Sequence, residues 1–363
     1  MRRLPIAFAA LMALATTASG AAAEIASRYF RTSDGVRLHV LETRPAATSG
    51  PTVVLLTGWS MPATLWKAQL SALGRRHRLI ALDPRGQGRS EVPPQGYDID
   101  RRAEDLHELL EKRVRGQAVV LVGWSLGALE ALQYLHHHGD DRLAALVLVD
   151  SSVGEGPAPT GPSPFPEELR RNRRKAVTDF AKAIFKTPRP AREIRALVDG
   201  ALRMPLEASL SLFPSHLPRE HWRELALGFG KPLLYVVTPQ FGEQARELAV
   251  HRPGTRIEVF PKAGHALFVD EPVRFNRLLQ GASDTSYVAQ IGDLSILGVV
   301  QYVITLDSDT ELPIDAAHAH RGDGAAEGDA ADVQRGGGAR EGEHVRLIPA
   351  VEGEDIQLAR LVF

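Results

Sequence analysis

Apolar and polar positions follow three different rhythms along this chain. From Tyr29 to Arg44 they alternate about Asp34-Gly35, which predicts an antiparallel hairpin with Asp-Gly as its turn. Runs such as Val53-Val54-Leu55-Leu56, Val119-Val120-Leu121-Val122 and residues 143–149 are apolar without alternation. Strands of that kind are buried on both faces of a parallel sheet. Further strands are expected at 78–82, 233–237 and 256–260. Between the strands the apolar residues recur at helical spacing (Leu65, Trp66, Leu70, Leu73, then Leu126, Leu129, Leu132, Leu135). Helices are also expected at 100–112, 242–251 and 271–279. Strand and helix in alternation predict an α/β fold with a doubly wound, mostly parallel sheet. Its ligands belong beyond the carboxyl ends of the strands.

One segment breaks the alternation. Residues 153–166 are irregular and rich in Gly and Pro, and 167–227 reads as short helices interrupted at Pro188, Pro190, Pro205, Pro214 and Pro218. Inserted after a strand end, this segment predicts a helical cap over the site. The expected organisation is a leader at 1–23, a core formed by 24–152 and 229–281, the cap at 153–228, and a tail at 282–363. The tail is dominated by Ala, Gly, Asp and Glu over 316–345 and is expected to be disordered. The basic run Arg170-Arg171-Asn172-Arg173-Arg174-Lys175 is read as a solvated helix face.

The run at 119–122 ends in Gly123-Trp124-Ser125-Leu126-Gly127, directly before a helical segment. A strand turning sharply into a helix places its apical residue in a strained backbone, and only small neighbours permit the close approach. The hydroxyl of Ser125 then stands at a helix N-terminus, where free N–H groups favour negative charge. A serine hydroxyl is a poor nucleophile unless an imidazole accepts its proton, and the imidazole needs a carboxylate to fix its tautomer. His265 follows the last expected strand and is placed to face Ser125. The cluster His136-His137-His138 lies at a helix end before Gly139 and reads as a solvated terminal turn, not a metal site.

The chain has 363 residues, 44% hydrophobic and 24% charged, with a net charge of −1. That balance gives no reason to expect a nucleic acid or an anionic membrane as partner. There is no cysteine, so disulfides and thiolate metal sites are excluded. Arg2 and Arg3, an apolar stretch from Leu4 to Ala15, and Ala21-Ala22-Ala23 before Glu24 form an export signal with a small-residue cleavage site. The apolar run is short for a membrane span, so the mature chain is expected in the periplasm or outside the cell, without stable membrane insertion.

Thr57-Gly58-Trp59, Asp83-Pro84-Arg85-Gly86-Gln87-Gly88-Arg89-Ser90, Gly123-Trp124-Ser125-Leu126-Gly127 and Gly264-His265 together resemble the α/β-hydrolase superfamily over about 28–281. The resemblance implies Ser125 as nucleophile, His265 as base, and an oxyanion hole from the backbone N–H groups of Trp59 and Leu126. The chain departs from the family in two places. Thr57 stands where a His is usual, and Phe241 stands about where the acid is usual. The acid is then Asp150, at the end of the preceding strand, or Glu243, slightly beyond the usual place; Asp270 is a weaker candidate on the far side of His265. The implied activity is hydrolysis of small-molecule carboxylic esters through an acyl-enzyme, with no metal or organic cofactor. Perhydrolase or haloperoxidase-like chemistry, a lactonase, or a non-catalytic pocket for a hydrophobic ligand are the alternatives. In the tail, Ile291-Gly292-Asp293-Leu294 and residues 302–313 resemble a fragment of a cyclic β-glucan synthase glycosyltransferase. That fragment is too short to build the domain and is read as a fusion remnant.

Overall fold

The structure is a computed structural model. It describes residues 23–45, 50–157, 163–213 and 216–283, together with two short strands at Tyr302–Ile304 and Leu347–Pro349. The expected export signal and most of the expected tail fragment lie outside the described residues. The chain divides into a unit ending at Gln290 and a second from Ile291 to Phe363. In the second unit the two short strands pair antiparallel.

The first unit is built on an eight-stranded sheet. Strands β1 (Ile25–Arg31) and β2 (Arg37–Thr43) form the expected hairpin. Its turn closes through Gly35, at φ 85°, whose N–H reaches the Thr32 carbonyl at 3.0 Å. Then come β3 (Thr52–Leu56), β4 (Leu79–Asp83), β5 (Val119–Trp124), β6 (Leu143–Val149), β7 (Leu233–Val237) and β8 (Arg256–Val259). The order across the sheet is β1-β2-β4-β3-β5-β6-β7-β8. All neighbours from β4 to β8 are parallel, and β2 meets β4 antiparallel. Every residue of β3, β4 and β5 is buried, as their unbroken apolar runs require. Each fully buried Val or Leu contributes about 1.5–3 kcal/mol.

Helices flank the sheet. They are α1 (Lys67–Leu73), α2 (Ile99–Arg113), α3 (Leu126–His138), α4 (Phe165–Ala183), α5 (Ala191–Ala201), α6 (Leu206–Ser211), α7 (Arg219–Gly228), α8 (Gly242–His251), α9 (Leu267–Asp270) and α10 (Pro272–Ser283). Helix α2 packs on α3 and α1 on α10. Trp66, the residue just before α1, stacks on Phe268 of α9 at 3.7 Å between ring centroids. His137 and His138 reach Asp100 and Glu104 of α2 at 2.8 and 2.7 Å, so the histidine run cross-links two helices. Among the described residues no helix is long and apolar enough to cross a membrane.

The proline-broken segment is helical, and Pro190, Pro205 and Pro218 stand at the N-caps of α5, α6 and α7. A ring that fixes φ and lacks an N–H costs nothing at that position. Helix α4 packs on α5 and α6. Helix α7, by contrast, lies against α3, where His221 Nε2 meets Gln133 Oε1 at 2.7 Å.

Candidate active site

Ser125 joins β5 to α3 with φ 56° and ψ −121°. A non-glycine residue in that region is strained and persists only where its surroundings fix it. The flanking glycines show what does so. A Cβ on Gly123 meets the Gly127 carbonyl oxygen at 2.3 Å and the Ala128 Cα at 2.6 Å. A Cβ on Gly127 meets the Thr57 carbonyl oxygen at 2.8 Å and Leu56 Cβ at 2.9 Å. The bend thus fits only without side chains at these two places. Ser125 itself is half-buried.

Asp150 leaves the end of β6 at φ 45° and is fully buried. Its Oδ1 accepts the Thr238 N–H at 2.6 Å, and its Oδ2 lies 2.8 Å from His265 Nδ1. The carboxylate therefore pairs with one imidazole nitrogen and leaves Nε2 for another partner. Below it, Tyr235 Oη donates to the Ser151 carbonyl at 2.5 Å. Burial, with the nearby Asp150 charge, pushes that phenol up, so it remains a protonated donor. Glu243 lies in the first turn of α8; the carboxylate brought to His265 is Asp150. Phe241 ends a short 3₁₀ turn from Pro239 and packs half-buried on the core.

His265 is held from both sides. Trp124 donates its indole N–H to the His265 carbonyl at 2.8 Å. Asp270, in the short helix α9, accepts the N–H groups of Gly264 and Lys186 at 2.8 Å and of Thr187 at 3.1 Å. The Ala266 N–H reaches the Ile184 carbonyl at 2.7 Å. A Cβ on Gly264 stands 2.6 Å from the Lys186 nitrogen, so glycine is needed for this approach. The carboxylate of Asp270 thus clamps the histidine loop to the segment that follows α4.

Leu126 is the first residue of α3, and its N–H has no acceptor within the helix. Gly58 brings the Thr57–Trp59 loop against the bend: its Cβ would lie 3.0 Å from Ser125 Cβ. The head of α3 at Leu126 and the Thr57–Trp59 loop thus border Ser125 from two sides. Gln87 supports the second of these. Its Nε2 donates to the Met61 carbonyl at 2.8 Å and to the Gly58 carbonyl and Thr57 Oγ1 at 3.2 Å. Its Oε1 accepts from Arg102 Nη1 at 3.0 Å, and Arg102 pairs with Glu130 at 2.6 Å. Burial pushes Glu130 up to about 7. The unusual Thr57 is thereby a hydrogen-bond partner of the Gln87 side chain. Sequence reasoning missed Gln87, yet a signal existed. It stands between Gly86 and Gly88, at φ 78° and 50°, a tight turn that drives the intervening side chain inward.

Asp83 completes the support. It accepts the Ala63 N–H at 2.6 Å and the Arg89 N–H at 2.9 Å, and it pairs with His39 at 2.7 Å. A Cβ on Gly88 would lie 2.0 Å from its Oδ1. Over the site, Trp59 packs edge-on against Phe165 and Phe180 at 5.1 and 5.3 Å and stacks on Phe213 at 5.7 Å. Its indole N–H bonds the Ser209 carbonyl at 2.8 Å. The cap thus closes on the residue that follows Gly58 beside the bend. Among the described residues no cluster of three or more His, Cys, Asp or Glu is arranged to hold a metal.

Parallel sheet, strained serine and strand-end carboxylate–imidazole pair define a hydrolase-type site. A family model described as alpha/beta hydrolase family matches residues 53–278, and the chain belongs to that family. The non-heme chloroperoxidase CPO-A1 of Kitasatospora aureofaciens is 38% identical over 103 residues, 28% of this chain and 37% of that protein. The chain therefore spans about a third of that relative. The pimeloyl-[acyl-carrier protein] methyl ester esterase of Vibrio atlanticus is 26% identical over 249 residues, 62% of this chain and 92% of that protein. The solved esterase EaEST of Exiguobacterium antarcticum superposes with a TM-score of 0.62 at 23% identity, covering 73% of this chain and all of that one.

Proposed function

We propose that this chain is an exported serine esterase that hydrolyses small carboxylic esters through an acyl-enzyme. The observation that carries the reading is the 2.8 Å pairing of Asp150 Oδ2 with His265 Nδ1 behind a serine held at φ 56°. The Ser125 hydroxyl gives its proton to His265 Nε2 as Oγ attacks the ester carbonyl. Asp150 holds the tautomer and stabilises the imidazolium. The negative oxygen of the tetrahedral intermediate is received by the N–H groups of Trp59 and Leu126. On collapse the C–O bond to the alcohol breaks, and the alcohol leaves with the proton from His265. Water, deprotonated by the same imidazole, then releases the acid and restores Ser125. The aromatic ceiling of Trp59, Phe165, Phe180 and Phe213 favours short-to-medium acyl groups.

The test is turnover of p-nitrophenyl esters from acetate to octanoate, with fluorophosphonate labelling. Ser125→Ala should abolish both; labelling that persists in this variant excludes Ser125 as nucleophile. Complete inactivity of the intact chain favours the pocket without catalysis. The chloroperoxidase relative supports a second reading, in which hydrogen peroxide replaces water in the deacylation step. Peracid formation from acetate and peroxide distinguishes it, and a lactone panel tests ring opening. Export rests on the pattern at 2–23 and is checked by the N-terminal sequence of the mature protein outside the cytoplasm. The tail is not required by this reading, so a chain ending at Gly281 should fold and turn over the same esters.

A further inference from the structure

The inward stripe of α4 carries one charge. Phe165, Leu169, Ala176 and Phe180 follow one another at helical spacing, and Phe165 and Phe180 both touch Trp59. Arg173 lies on the same stripe between them, immediately after Asn172, where the helix is kinked (φ −153°, ψ 82°). Its Nη2 donates to the carbonyl of Met204, to Ser209 Oγ at 2.8 Å and to the Ala201 carbonyl at 3.5 Å. The Ser209 carbonyl in turn receives the indole N–H of Trp59. The guanidinium is therefore one residue removed from the tryptophan that borders the bend at Ser125.

What this cation lacks is an anion. Among the described residues no carboxylate pairs with Arg173, whereas its neighbours Arg170, Arg174 and Lys175 each take one. Its Nε is buried with no hydrogen-bond acceptor, and Nη1 makes no hydrogen bond to a described residue. A half-buried, partly unsatisfied cation is costly to keep. Burial pushes this guanidinium down from its ordinary value. Carbonyl and hydroxyl oxygens satisfy one of its three nitrogens and leave the charge unbalanced. A planar guanidinium with free donors matches a carboxylate.

We propose that Arg173 is the recognition point for a carboxylate carried by the substrate, so that the preferred esters are half-esters of dicarboxylic acids or esters of comparable anionic acids. This rests on the ester-hydrolase reading of Ser125, Asp150 and His265 and specifies its substrate class. The acyl chain then runs from Ser125 beneath the Trp59 cluster and ends its far carboxylate at Arg173.

The test compares p-nitrophenyl half-esters of adipate and suberate with the matching ω-methyl diesters, in the full-length protein. The wild type should favour the half-esters in kcat/KM by about 10- to 100-fold, the range of one charge-assisted hydrogen bond. Arg173→Met should remove that preference and leave the neutral diesters nearly as before. Arg173→Lys should restore part of it. Equal turnover of both ester types by the wild type overturns the proposal, as does an equal loss of both in Arg173→Met, which marks a residue that only braces the cap. If Arg173→Met fails to fold, the wild-type preference decides alone. Activity on neutral diesters without preference sinks only the carboxylate; inactivity on every ester sinks the underlying hydrolase reading.

Discussion

The indole N–H of Trp124 bonds the backbone carbonyl of His265 at 2.8 Å, across 141 residues of sequence. The residue before the strained serine thus holds the loop that carries the imidazole. Ser125 and His265 are tied through the main chain on either side of the gap they share. A distant loop can deliver an imidazole with the accuracy proton transfer needs only if such a tie exists.

The first prediction separates the two carboxylates considered for the acid. Asp150→Asn keeps the size of the side chain but removes the charge and permits the wrong imidazole tautomer. kcat on p-nitrophenyl butyrate should fall about ten-thousand-fold. Glu243→Gln should leave kcat close to wild type. A collapse in Glu243→Gln with activity retained in Asp150→Asn would reverse the assignment.

Gln87 offers a second test. Gln87→Leu removes the donor shared by Met61, Gly58 and Thr57 and leaves Arg102 without its acceptor. The Thr57–Trp59 loop should loosen, with kcat falling by about 10- to 100-fold and KM moving little. Unfolding should become easier by about 1–3 kcal/mol, the cost of stranded buried polar groups. Steady-state kinetics and denaturant titration read the two effects separately.

Gly123→Ala probes the bend without touching a chemical group. Its methyl group would meet the Gly127 carbonyl oxygen at 2.3 Å, which is backbone and cannot rotate away. The expected loss is about 1–3 kcal/mol of stability or more, with esterase activity lost as the serine is displaced. Wild-type melting temperature together with wild-type turnover in this variant would contradict the described bend.

The last prediction concerns acid stability. Burial alone would raise Glu108, but hydrogen bonds from Lys112, Ser33 and Arg101 outweigh it and hold the carboxyl down at about 2. Asp34 is likewise brought to about 2, its burial outweighed by Arg85 and Thr32. Both folded values lie below the unfolded ones. The stability they supply is present above the usual carboxylate range near 4 and is lost as pH falls through about 2. Thermal unfolding followed from pH 6 to pH 2 should show this decline, and Glu108→Gln should flatten it. An unchanged slope in that variant would remove Glu108 from the explanation.

Much of the core was legible because period and length speak for themselves. Residues 53–56, 119–122 and 143–149 lack alternation and form buried parallel strands, and Asp34-Gly35 closes the hairpin. The α/β class and the family followed from these and from four short motifs. The less legible parts depend on distance in sequence. Phe241 gave no acid at the usual place, and nothing local distinguishes Asp150 from Glu243; the strand end decides which carboxylate meets His265. Asp270 was weighed as an acid for the imidazole, whereas its carboxylate binds three backbone N–H groups. Arg173 sat inside a basic run that reads as a solvated face, yet it falls on the same helical stripe as Phe165, Leu169, Ala176 and Phe180.

The clamp made by Asp270 has a consequence for traffic through the enzyme. Lys186 and Thr187, between α4 and α5 of the cap, and Gly264 of the imidazole loop share one carboxylate, so the roof cannot lift at that corner without unseating His265. Excising the roof to widen the entrance would disarm the catalyst instead of opening it.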